Sequence, residues 1–573
     1  MILALVLFPD NSGMGQGWII SPGTSFIGTG GNIVLKGDMV NNGSQSNANN
    51  TIIFAGAAQA LGGTSPVLFN NLTVASGSTT TITTAGQTLN GILLSNGTLN
   101  AGGNITLLST VTGTALVDGL GTGSVKGNIT MQRYLTSAFG YRYISSPFQS
   151  ATVSELSDDM DLLAAFPSFY RYDQSRVSSS WVSYVNPAGI LNPLQGYIVN
   201  FGNTSFPVTA DITGVVNNGS LTVNLFNNNN VYSKGFNLVG NPYPSAIDWN
   251  APSGWTKTNI DNSVYYFNAD ASNQYAGMYS SYLNNISSDG LASGIIPSMQ
   301  GFFVHVSNGV WPVAGTLALN NDVRVNDMSH SFAKSGQSTS PPPYIRITAG
   351  YSDDALSYDP LCVYFDLEAT YNFDGQYDAY KLFNTDTKVT NFYSFANDAS
   401  RLSINAMPLS DTGLCNVRLG LKTERNGNVI FSLKDIIGDF NYSNIFITDV
   451  STGITQDLLY NKEYKVNLAA GDYQNRFFLN LSNTLTAIPD NDLTVDLLKV
   501  YMSHGIVMAE IILPSEGPGI LTICNLLGQV ILDQKIHESG HYEFESSVKD
   551  GIYIVSLMCP DKRISKKIFI RNW

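Results

Sequence analysis

The chain has 573 residues, of which 13% are charged and 11% aromatic, and a net charge of −14. That balance excludes the basic face of a nucleic-acid binder. The aromatic content excludes disorder, and the length is more than one core holds, pointing to about three to five domains. Gly is abundant at 53 residues, alongside many Asn, Ser and Thr. This is the composition of short strands and tight turns, not of helices.

The opening "MILALVLF" is apolar, but no basic segment precedes it and no A-x-A site follows. It reads as the stub of a truncated signal peptide or as a first strand. No apolar run approaches the ~20 residues of a membrane span. Residues 1–131 then alternate short apolar pieces with Asn-Gly and Gly-Gly turns, as in "NIVLKGDMVNNG", "NTIIFAG" and "NGILLSNGTLNAGGNITLLS". Strands of this kind at repeated spacing predict the coils of a β-solenoid, each burying its apolar side chains against the next. The irregular spacing keeps a β-sandwich in play.

Residues 132–329 contain a duplication. "YRYISSPFQSATVSEL", "FYRYDQ" and "PLQGYIVNF" return as "GFNLVGNPYPSAIDW", "VYYFNAD" and "PSMQGFFVHV". Pro147 matches Pro242 and Tyr170 matches Tyr265 at an offset of 95, and Gln195-Gly196 matches Gln300-Gly301 at 105. Two β-sandwich modules are expected, at 132–230 and 231–329. A Ser/Pro-rich linker (330–344) precedes a third strand-rich unit at 345–483, expected to be another β-sandwich. A second linker (484–493) leads to the last unit, 494–573, where Leu527-Gly528 reads as a hairpin turn.

The chemical motifs are few. "HESGH" (537–541) fits the zincin pattern H-E-x-x-H, whose histidines share one helix face around zinc. Here "VILDQKI" and "YEFE" flank it as strands, Ser539-Gly540 reads as a turn, and His504 sits too early to be a third ligand, so no zinc site is assigned. No G-x-S-x-G elbow or Walker motif occurs, and "GLGTG" (119–123) opens no helix. Asp366 and Glu368, read on one face of a strand, are by default solvated acids. Calcium is a weaker candidate at Asp374, Asp378 and the stretch 321–327, against ordinary turn acids. Trp181, Trp249, Trp255, Tyr279 and Tyr282 lie in Asn/Ser-rich surroundings and are candidates for stacking on glycans, with core packing as the competing reading. Of Cys362, Cys415, Cys524 and Cys559, none forms a C-x-x-C pair. Buried thiols are the default, and a Cys524–Cys559 bridge stays open.

The last unit carries a resemblance. "ILTICNLLGQVILDQKI", "GHYEFE", "DGIYIVSLM" and "RISKKIFI" resemble, in order, the C-terminal sorting domain of type IX secretion cargo of Bacteroidota, in a type A-like form with an Ig-like β-sandwich fold. Gly528, Gly551, Ile552, Tyr553, Lys566 and Lys567 take the places of the family's hairpin glycine, Gly-Ile-Tyr strand and closing lysines. The family's Pro-Asn-Pro opening is replaced by "KVYMSHGIVMAEI". Upstream, "GFNLVGNPYPSAIDW", "IPSMQGFFVHV", "NFDGQYDAYKLF" and "LSINAMPL" look like modules of large surface proteins from the same bacteria. The resemblance implies export by the type IX machinery and attachment at the outer cell surface. The expectation is an all-β, non-catalytic structural or adhesive protein with no cofactor. Two other readings remain: a glycan-binding accessory protein for surface, environmental or host polysaccharide, and the non-catalytic remainder of a larger secreted enzyme.

Overall fold

The computed structural model describes residues 17–47, 49–202, 204–329, 341–354, 357–408, 414–438, 442–482, 498–503, 506–513, 518–525, 528–545, 551–559 and 563–570. The apolar start, most of the first linker, the whole second linker, His504 and Leu527 lie outside them. The protein is all-β: the described helical segments are two single 3₁₀ turns, Val153–Leu156 and Asn321–Val323. It divides into two compact units, Met1–Asn483 and Thr484–Trp573.

The first unit begins with β-solenoid stacking. Three sheets of parallel strands run side by side, each coil giving one strand to each sheet. Side chains alternate in and out along every strand, as in the buried–intermediate alternation of Asn50–Phe54. The inward residues stack into ladders across coils. One runs Ile33, Ile52, Leu72, Leu93, Val117, and another Phe69, Leu89, Leu107, Met131. Corners are held by buried amides. The Gln59 side chain accepts from Gly56 N (2.6 Å) and donates to Gly37 O (2.5 Å), and Asn41 donates to Pro66 O at 2.9 Å. These bonds satisfy turn backbone that would otherwise be buried unpaired.

One of the solenoid's three sheets does not end on a free edge. Its strand Asn128–Leu135 lies parallel to Ile105–Leu107 on one side. On the other it pairs antiparallel with Val208–Val215 through all eight residues, Asn128 against Val215 to Leu135 against Val208.

Two antiparallel sheets follow with one strand order. The first runs Tyr141–Ile144, Tyr197–Asn200, Phe169–Tyr172, Trp181–Ser183. The second runs Phe236–Gly240, Gly301–Val306, Ile260–Ala269, Gly277–Leu283, with Ile286–Ser287 added at its edge. They meet in a reciprocal seam. Gln195 of the first bridges Val239 of the second, and Gln300 of the second bridges Ile144 of the first. Ser145 N donates to Met299 O and Gly240 N to Leu194 O, both at 3.1 Å. Leu194 and Met299 both take left-handed backbone, with φ of 62° and 61°. The approach is too close for side chains at the crossing: a Cβ on Gly196 would lie 2.5 Å from Val239 O, and one on Gly240 2.1 Å from Ser145 Cβ.

Residues 344–482 form one large sheet that folds over its own core, with Phe392, Phe431, Phe477 and Leu479 inside. All its pairings but one are antiparallel; Tyr358–Asp366 runs parallel to Arg401–Pro408. A second cluster, with Tyr143, Phe236, Tyr265, Phe303, Tyr344 and Tyr364, joins this sheet to the twin sheets. The C-terminal unit is an Ig-like sandwich. One sheet is Leu498–Ser503, Ile506–Ile511, Gly540–Glu545. The other is Val530–Ile536, Gly519–Asn525, Gly551–Met558, Arg563–Ile570. Val507, Leu521, Val555 and Ile568 lie between them.

The seam makes a stability prediction. Gly240→Ala forces a methyl onto Ser145 and is expected to cost about 1–3 kcal/mol by overpacking. Gly471→Ala meets nothing nearer than 3.7 Å and should change stability by less than about 0.5 kcal/mol. Chemical denaturation of the two variants checks this; equal effects contradict it.

Candidate functional site

In the C-terminal unit, Gly528 closes the hairpin between Gly519–Asn525 and Val530–Ile536. It sits at φ +80°, and its N–H donates to Asn525 O at 3.0 Å. A side chain at that backbone geometry is strained, which is why glycine stands there. Gly551, Ile552 and Tyr553 open the neighbouring strand, at the same end of the sheet, since Tyr553 pairs opposite Asn525. Lys566 and Lys567 lie on the closing strand, opposite Val555 and Ile554. Tyr553 is buried, Lys566 half-buried and Lys567 exposed. Cys524 pairs with Ile554, five residues short of Cys559, while the Cys559 thiol lies near Gly519 at the other end of the strand. At ~3.3 Å per residue the two thiols are separated by about 16 Å of strand. The bridge left open by the sequence is therefore not formed, and all four cysteines are free.

"HESGH" spans a strand end and a turn. His541 is exposed on Gly540–Glu545, paired with Glu510, and Glu538 O accepts the Tyr542 hydroxyl at 2.6 Å. The pattern has no helix to put its two histidines on one face. Among the described residues the unit's first strand, Leu498–Ser503, lies before His504, so His504 follows that strand and does not precede the unit's strands.

The five aromatic candidates do not form one surface. Trp249 is 1% exposed and Tyr282 2%, leaving neither a face for a sugar ring. Trp249 and Trp255 lie 4.9 Å apart and already hold a cation: Lys257 Nζ sits 3.6 Å from the Trp249 ring centre and donates to Trp249 O at 3.0 Å. Burial pushes the Lys257 ammonium down to about 7. Both indole N–H groups donate to main-chain carbonyls, of Asn262 and Asp248. Trp181 packs on Tyr143, Tyr172 and Phe303, and the Tyr279 hydroxyl lies 3.1 Å from that of Tyr143.

The acidic candidates are turn-formers. Asp366 ends its strand and accepts from Glu368 N at 2.9 Å, so the two share no strand face. Asp374 accepts from Gln376 N, and the two oxygens of Asp378 accept from Asp374 N and Ala406 N, each at 2.8 Å. In the stretch 321–327, Asn326 donates to Asp118 and Asp327 accepts from Ser329 N. Among the described residues no three His, Cys, Asp or Glu side chains gather as a metal-binding group.

What the sequence reading passed over are buried charges. Arg324 donates to Val117 O and, at 2.8 Å, to Ser245 Oγ, clipping the second twin sheet's module to the solenoid. Arg346 donates to Ser287 O, Ser288 O and the Tyr344 hydroxyl, each at 2.9 Å, and pairs with Asp435. Lys381 and Asp359 form a buried pair at 2.6 Å, and His305 Nδ1 lies 2.5 Å from Asp261 Oδ2. The signal was present: a lone polar or charged residue inside an apolar strand, as in "YIRITAG" and "GFFVHVS", marks a buried polar group that needs a partner.

The chain belongs to the family described as Domain of unknown function (DUF8693), whose model matches residues 41–481. It is 24% identical over 381 residues to the minor fimbrium subunit Mfa5 of Porphyromonas gingivalis. That match takes in 62% of this chain, and the chain spans only 29% of the subunit's length. Among solved structures, a two fibronectin type-III domain segment of chicken tenascin matches with a TM-score of 0.12 at 9% identity, over 26% of this chain and 95% of that one. Dimeric latent PorU of Porphyromonas gingivalis matches with a TM-score of 0.13 at 10% identity, over 68% of this chain and 36% of that one. At those scores neither likeness carries an argument.

Asp378 gives a pH prediction. It is 1% exposed, and burial pushes its carboxyl from 3.8 up to about 7. A folded-state value above the unfolded one means that its contribution is fully present below about pH 4 and is lost as the pH rises through 7. The melting temperature of the wild type should therefore fall relative to that of Asp378→Asn between pH 4 and pH 7. A difference that stays flat over that range contradicts the assignment.

Proposed function

We propose that the chain is a non-catalytic structural or adhesive protein of the outer cell surface, exported by type IX secretion with residues 494–573 as the sorting domain. The observation that carries the surface role is the 381-residue match to a fimbrium subunit. The all-β architecture supports it. In the first unit the solenoid shares a full strand pairing with the segment after it, and the twin sheets meet through backbone bridges, which suits a protein that holds a position outside the cell.

The export route rests on the tail. Its residues form a compact unit of their own, with Gly528 in the hairpin, Gly551-Ile552-Tyr553 opening a strand and Lys566 and Lys567 on the last strand. We read these six as the sorting motif and the type IX machinery as the partner. We also read 132–230 and 231–329 as two copies of one module. Their sheets have the same strand order, and the added strands Ile286–Ser287 and Ile295–Ile296 fall where the spacing lengthens from 95 to 105.

The test is a fusion of residues 484–573 to a Sec-exported reporter in a type IX host. Delivery of the reporter to the surface or medium is the expected result. Retention in the periplasm, while a known cargo tail is delivered in parallel, contradicts the export reading.

A further inference from the structure

A cleft of about 690 Å³ opens in the first unit beside the strand pair Phe236–Gly240 and Gly301–Val306, with residues 380–383 and 399–401 as its far wall. That volume is in the range of ligand sites. Its floor is fixed. The His305 ring lies 4.9 Å from Phe236 and 4.8 Å from Tyr380. Asp261 holds one ring nitrogen from behind, and Lys234 O faces the other at 3.0 Å. Asn308 donates to the Tyr380 hydroxyl at 2.8 Å. A floor bonded in this way loses little freedom when a ligand arrives.

The walls differ from the floor. Tyr232 and Trp311 line the cleft from two turns and are 64% and 48% exposed. Unlike Trp249 or Trp181, they keep open ring surface. Lys234 and Arg401 also line it. Lys234 is exposed and, among the described residues, has no ion-pair partner. Arg401 has Asp472 at 3.8 Å, at the outer limit of a salt bridge. In a chain of net charge −14, none of the lining residues is Asp or Glu. The nearby acids are engaged elsewhere: Asp359 with Lys381, and Asp398 with the amides of Phe373 and Ser400.

Open aromatic faces suit the C–H faces of sugar rings, being apolar in the plane and polar at the edge. Two cations without a lining carboxylate select against a neutral or cationic ligand and for an anionic one. We propose that this cleft binds an anionic saccharide, stacked on Trp311 and Tyr232, with its acid groups paired to Lys234 and Arg401 and its hydroxyls to Asn308. This goes beyond the structural reading, since a strut with no ligand satisfies that reading and fails this one.

The test titrates the full chain with three hexasaccharides: hyaluronan, which carries carboxylates; chondroitin 4-sulfate, which adds sulfates; and neutral chitohexaose. Calorimetry and tryptophan fluorescence read the binding. Saturable binding of either anionic probe is expected, weakening as NaCl is raised, with chitohexaose at least about tenfold weaker. Trp311→Ala and Lys234→Glu should each weaken the anionic probe by about tenfold or more. Both sites are exposed, so the melting temperature should hold, and Tyr232→Ala is the alternative if Trp311→Ala does not fold. Which anionic probe binds better identifies the acid group. Absence of saturable binding to both, equal binding of chitohexaose, or wild-type affinity in the variants overturns the proposal. Export of the fusion above is unaffected by any of these outcomes, so the two readings fail separately.

Discussion

Strand Asn128–Leu135 is paired on both sides, along its whole length by Val208–Val215 and at Thr130 and Met131 by Ile105–Leu107, and the first unit depends on that. A sheet edge is a row of unpaired N–H and C=O groups that must be paired, covered or left as a liability. A parallel solenoid always has such an edge at its last coil. Here that edge is filled in one of the three sheets by Val208–Val215, the strand that closes the first twin sheet's module. The solenoid core and the antiparallel core therefore continue into one another, and Phe148, Phe169 and Tyr197 belong to the same apolar cluster as Phe54 and Leu72.

The same economy recurs at the seam between the twin sheets. Each sheet offers a Gln-Gly step to the first strand of the other, and the resulting hydrogen bonds come in matched pairs. Glycine at 196, 240 and 301 lets two backbones approach within contact distance, a geometry that no side chain tolerates. Charge does the remaining fastening. With few charged residues to spend, the chain buries Arg324 and Arg346 where modules meet, each donating to main-chain carbonyls across the junction. Breaking such a buried contact leaves an unsatisfied charge and costs about 3–5 kcal/mol. These arginines make module contacts specific in a way that apolar packing alone does not.

The fold class was legible because period-two alternation and Asn/Gly turns are local properties. The ladder residues Ile52, Leu72 and Leu93 can be picked from their own strands. Pairings between strands far apart in the chain are not local: nothing in "NITMQRYL" says that its second edge will take Val208–Val215. The aromatic residues show the same limit. Trp249 and Trp311 stand in similarly polar stretches, yet one is sealed over Lys257 and the other opens onto a cleft. Trp249 is covered by Trp255, Lys257 and Phe302, whereas Trp311 faces Tyr232 and Arg401 from distant parts of the chain. The cleft itself joins Tyr232, Trp311 and Arg401, which no motif links. "HESGH" shows the reverse error, a pattern with a known chemistry and the wrong backbone beneath it.

The central claim is that the solenoid and the twin sheets of the first unit are welded by backbone pairing, not merely adjacent. Hydrogen–deuterium exchange tests it at the welds. The amides of Ser145, Gly196 and Gly240 donate across the seam, and those of Thr130 and Met131 lie between two paired strands. If the account is right, peptides covering these amides exchange as slowly as core peptides around Phe302 and Val304, because they open only when the unit unfolds. If they exchange quickly while the sheets on either side stay protected, the modules are independent and the account fails.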